Sequence, residues 1–90
     1  MSTEEDYRAL MSDLIKKQMI MLGPNLVLSK ARGVLGLTVL DDGTVQKVNG
    51  DLGQVLGELT GAFMTLSGQI AQMTLDTLLE KYPGVKSPNS

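Results

Sequence analysis

The positions Tyr7, Leu10, Met11, Leu14, Gln18, Met21 and Leu22 recur at steps of three and four. At roughly 100° per residue they share one stripe, which predicts a first helix over about 3–22. Lys16 and Lys17 fall off that stripe. Ser2 with Glu5, and Thr3 with Asp6, have capping-box spacing, and Glu4, Glu5 and Asp6 suit the positive end of a helix dipole. Gly23-Pro24 ends this helix and opens a short second one over 24–32, because proline fits the first helical turn. Lys30 and Arg32 lie in its last turn, and Gly33 is expected as the residue that ends it.

The period then changes. Two β-rich runs within 36–48 (GLTVLDDGTVQKV) flank Asp41-Asp42-Gly43, a hairpin signal. Two registers are open. A two-residue loop pairs Leu40 with Val45, and a three-residue loop pairs Val39 with Val45. A lone two-stranded ribbon is marginal, so it must lie on the helices or extend across a partner's edge strand.

Asn49 or Asp51 then caps a long third helix over about 51–82, with a bend expected near Ser67-Gly68. On a helical wheel Leu52, Val55, Leu56, Leu59, Ala62, Phe63, Leu66, Ile70, Met73 and Leu79 form a core stripe. Gln54, Glu58, Thr65, Gln69, Gln72 and Asp76 form a wet face. The remaining arc holds Gly53, Gly57, Gly61, Met64, Gly68, Ala71 and Leu75, with no charge and little bulk. Each interior glycine costs about 0.5–1 kcal/mol against alanine, so Gly53, Gly57 and Gly61 together cost about 2–3 kcal/mol. Small residues at four-residue spacing let another helix approach closely, which offsets that cost by dispersion contacts. The approaching helix is either the first or second helix of the same chain or a helix of another protomer. Three short elements hardly cover both sides of a helix some 30 residues long, which favours the second protomer.

Composition narrows the chemistry. The 90 residues contain no cysteine and no histidine, which removes disulfides, thiolate or imidazole metal sites and the commonest general base. With 8 basic and 10 acidic residues the net charge is −2, and only Tyr7, Phe63 and Tyr82 are aromatic. Neither the basic field nor the stacking surface of a nucleic-acid binder is present, so no nucleic-acid partner is expected. The acidic start MSTEED differs from a secretory leader. The longest apolar stretch, 19–28, is interrupted by Gly23, Pro24 and Asn25, so no membrane span is expected. A soluble, cytoplasmic protein without cofactor or metal follows.

Asp41-Asp42-Gly43-Thr44 lacks the alternating acids and distal Glu of a calcium loop, and reads as a turn. Gly33-Val34-Leu35-Gly36 precedes a strand rather than a helix, so it does not cradle phosphate in the usual way. Lys16, Lys17, Lys30 and Arg32 read as a solvated face rather than an anion patch. Met11, Met19, Met21, Met64 and Met73 are many for this length, and core filling is favoured over an adaptable binding surface. Catalysis is not expected.

Residues 32–56, RGVLGLTVLDDGTVQKVNGDLGQVL, resemble the opening of a Roadblock/LC7 domain through Gly33, Val34, Gly36, Val39, Asp42, Gly43 and Val45. That resemblance implies a homodimerising scaffold that organises small GTPases or motor complexes.

The expected fold is α+β and mostly helical, in the order helix, short helix, β-hairpin, long helix. It forms one small domain over 1–82, with a flexible C-terminal tail over 83–90. The expected function is a non-catalytic, regulatory interaction module that self-associates through Gly53, Gly57, Gly61, Met64, Gly68, Ala71 and Leu75, with the hairpin edge as a further contact. One alternative is a monomeric adaptor or inhibitor that offers a Met-rich groove to another protein. Another is a carrier for a small apolar ligand or lipid.

Overall fold

The computed structural model describes residues 3–86. It is an α+β fold, mostly helical: α1 (Thr3–Leu22), α2 (Pro24–Arg32), β1 (Leu37–Val39), β2 (Val45–Val48), α3 (Leu52–Ser67) and α4 (Gln69–Lys81). Ser2, half of one expected capping box, lies outside the described residues.

α1 is the hub, packed against α2, β2, α3 and α4. Its buried side follows the expected stripe through Tyr7, Leu10, Met11, Leu14 and Gln18 and adds Ile15, which the stripe left out, whereas Met21, expected on it, is exposed. α2 starts at Pro24, as expected. It also ends at Arg32 with Gly33 as its cap, but Gly33 keeps a right-handed conformation (φ −77°, ψ −12°), and its N–H bonds to Lys30 and Ala31 carbonyls. The reversal comes at Gly36 (φ +92°), where a Cβ would collide with the Asn49 carbonyl. Gly36 must approach that closely because its own carbonyl accepts the Asn49 amide at 2.7 Å, closing the open end of the hairpin.

The strands are antiparallel, with Leu37 opposite Val48 and Val39 opposite Val45. This is the three-residue-loop register, and Leu40 N–H donates to the Thr44 carbonyl at its mouth (2.8 Å). The Asp42 carboxylate accepts the Thr44 amide (2.9 Å), a turn-closing bond that holds its carboxyl below the ordinary value. The ribbon lies on the helices. Val45 N–H donates to Ser12 Oγ on α1 (2.8 Å), and the Arg8 guanidinium donates to the Gln46 carbonyl (3.2 Å). On the other strand Arg32 of α2 donates to the Val39 carbonyl (3.2 Å) and pairs with Asp41 (2.7 Å). Both strands are thus met by side chains of the same chain. Arg32 is also withdrawn from the cationic group considered with Lys16, Lys17 and Lys30.

The helix expected over 51–82 is two helices. Asp51 caps α3, accepting the Gln54 amide (2.9 Å). α3 runs alongside α1 until Ser67 meets Gln18. Gly68 (φ +59°, ψ −133°) then turns the chain, and α4 returns along α1 until Tyr82 reaches Asp13. Part of the expected tail is docked: Val85 is buried, and Lys86 N–H donates to the Tyr7 hydroxyl (3.4 Å). Residues 87–90 lie outside the described part.

Candidate interaction surface

The turn at Gly68 resets the helical phase, and with it the faces assigned on a continuous wheel. Ala71 and Leu75, expected on the small-residue face, are fully buried and with Leu78 form the side that α4 turns to the core. They are not surface residues of this chain. Ile70 and Met73, expected in the core stripe, are instead 52% and 64% exposed. A glycine conformation that no straight helix contains exchanges one pair of positions for the other.

Upstream of the turn the wheel holds. Leu56, Leu59 and Phe63 are fully buried, and Gln54, Glu58 and Thr65 are exposed. Gly53 and Gly57 are half-buried, while Gly61, Met64 and Gly68 are exposed. Neither Gly53 nor Gly61 is covered by another helix of the chain. A Cβ on Gly53 would meet only the carboxylate of its own cap, Asp51, at 3.4 Å. A Cβ on Gly61 would meet nothing within 4 Å.

Gly61 lies instead in an open trough of about 640 Å³ between the end of α2 and the middle of α3, whose lining includes Lys30, Gly33, Val34, Leu35 and Ala62. Leu35 stands beside this hollow with 86% of its surface exposed. An apolar side chain in water and an unfilled glycine floor therefore sit next to each other. Sequence reading missed Leu35, because it treated 33–36 only as a lead into the strand. The signal was there in the bulky leucine between Gly33 and Gly36, where a small polar residue would serve a turn equally well.

The methionines divide. Met11 is in the core and Met19 packs against it, but Met21, Met64 and Met73 are 47%, 43% and 64% exposed. Core filling accounts for only two of these five. Among the described residues there is no group of three acidic, His or Cys side chains placed to hold a metal ion, and no helix is long and apolar enough to cross a membrane. Comparisons with family models, with curated proteins and with solved structures return no match.

Proposed function

We propose that this chain is a non-catalytic interaction module that self-associates, two copies meeting through the trough between α2 and α3. The observation that carries the reading is the open space over Gly61, with Leu35 exposed beside it. An interior glycine weakens its helix by about 0.5–1 kcal/mol relative to alanine, and among the described residues no packing over Gly61 offsets that cost. A knob and a hole side by side on one surface are the requirement for an isologous two-fold contact, in which each Leu35 enters the other copy's trough. The lack of cysteine and histidine and the net charge of −2 support a structural or regulatory role in a reducing, cytoplasmic compartment.

Gly61→Leu tests this. The protomer has room for the side chain, so its thermal midpoint holds or rises, while the filled trough excludes Leu35 of the second copy and association through the trough is lost. A Gly61→Leu protein that self-associates as the parent does would overturn the reading.

A second reading, a monomeric adaptor for another protein, draws on the exposed Met21, Met64 and Met73, since flexible thioethers suit adaptable surfaces. It predicts a monomer at every concentration that binds an apolar dye.

A further inference from the structure

Gly68 is the only residue between α3 and α4, and both helical ladders reach it. Its N–H donates to the Met64 carbonyl (2.9 Å), and its carbonyl accepts the Ala71 amide (3.1 Å). On either side the residues have helical periodicity, so the corner depends on one pair of dihedral angles. That pair (φ +59°, ψ −133°) lies where side-chain-bearing residues are rarely found. A cost sits beside it: among the described residues the Gln18 amide nitrogen is buried with no hydrogen-bond partner, next to Ser67.

If Gly68 turned helical, residues 52–81 would form one rod of about 45 Å, at the usual rise per residue. The longest extent of the whole fold is 31 Å. A straight rod therefore cannot keep both of its halves packed on the rest of one chain. Its second half would carry Ala71, Leu75, Leu78 and Val85 into water and leave the matching side of α1 bare. The same contacts can be remade on the α1 of a second copy: Tyr82 to Asp13, Lys86 to Tyr7, and Val85 in its pocket. What differs between closed and exchanged forms is then the hinge, the chain entropy and any new contact between the rods.

We propose that Gly68 is the hinge of a domain-swapped dimer, in which α4 and the segment through Lys86 pack on α1 of a second copy of this chain. The proposal concerns which chain supplies α4, and it is independent of the Leu35 trough contact.

The chain has no cysteine, which allows a direct test. A Cβ built on Gly84 lies 3.7 Å from the Asp6 Cβ, within the disulfide range of about 3.5–4.5 Å. In an Asp6→Cys, Gly84→Cys protein the bond forms within a chain when α4 is closed and between chains when it is exchanged. The protein is incubated dilute and concentrated, oxidised, and run on a denaturing gel without reductant. The expected result is cross-linked monomer from the dilute sample, and covalent dimer, dispersed by reductant, from the concentrated one. Adding Gly68→Ala raises the covalent dimer fraction about tenfold, because alanine disfavours the corner and favours the rod. The parental hinge gives its own readout should that variant fold poorly. A protein that is dimeric in native buffer yet yields only intrachain-linked monomer, at every concentration and with either residue at 68, overturns the exchange and leaves the trough contact standing. A protein monomeric in native buffer throughout, with intrachain links alone, overturns both.

Discussion

The Ser67 hydroxyl donates to the Gln18 side-chain oxygen at 3.0 Å, tying the last residue of α3 to the C-terminal end of the buried stripe of α1. This polar contact marks the corner between α3 and α4 from inside, and it is half satisfied, since the Gln18 amide nitrogen has no partner among the described residues.

Replacing a half-satisfied buried amide by an apolar group of similar length is close to neutral, because the uncompensated desolvation disappears with the lost bond. Ser67 keeps a second acceptor, the Phe63 carbonyl at 3.3 Å. Gln18→Met should therefore alter the unfolding free energy by less than about 1 kcal/mol, whereas Gln18→Ala, which opens a cavity, should cost about 2 kcal/mol or more. Urea titration of both variants checks this. A loss for methionine as large as that for alanine contradicts it.

Ser12 links α1 to the hairpin by accepting the Val45 amide while its own hydroxyl donates to the Arg8 carbonyl (2.7 Å). Ser12→Ala leaves the buried Val45 N–H without a partner and should cost about 1–3 kcal/mol. Hydrogen exchange at Val45 should quicken at the same time. Unchanged exchange there would mean that the strand is held by β1 alone.

Tyr82 donates to the Asp13 carboxylate at 2.6 Å, with Lys81 also 3.7 Å from that carboxylate. This bond, then partial burial, then the charges of Asp13 and Asp6 push the phenol from 10.0 up to about 12. A phenol whose folded value is raised contributes stability that is fully present below its unfolded value and disappears as pH rises through the folded one. Relative to Tyr82→Phe, the parent should be more stable below pH 10.0, and the gap should close between there and about pH 12. Denaturation of both proteins along that pH series is the measurement, and a gap independent of pH would contradict the assignment.

Val85 anchors the docked end of the chain. Val85→Ala should cost about 1–2 kcal/mol through lost apolar burial and should loosen the 82–86 segment to proteolysis. A stability equal to the parent's would return this segment to the frayed tail that its proline and glycine suggest.

Legibility differed between elements for physical reasons. α1, α2 and the hairpin were readable because each is bounded by residues whose conformation is nearly dictated: Pro24 at a helix start, Asp41-Asp42-Gly43 at a turn, Asp51 at a cap. The core of α3 was readable for the same reason, since a three-and-four stripe has one buried side. Beyond Gly68 the same wheel failed. Whether a glycine within a helical run continues the helix or turns it depends on where the next stretch can bury itself, and that depends on α1, not on local pattern. Ser67-Gly68 marked the place but not the size of the change, so Ala71 and Leu75 fell on the small-residue face and Ile70 and Met73 in the core stripe. Val85 was missed because a short Pro/Gly-flanked segment carries no period, and its neighbours Gly84 and Lys86 meet Asp6 and Tyr7, far away in sequence.

Light scattering of the unmodified protein across a roughly hundredfold dilution tests self-association most directly, because a dimer responds to concentration by mass action. The account predicts a mass of twice the 9.7 kDa chain at the concentrated end, falling toward one chain on dilution or holding if the contact is tight. A mass of one chain at every concentration would contradict it.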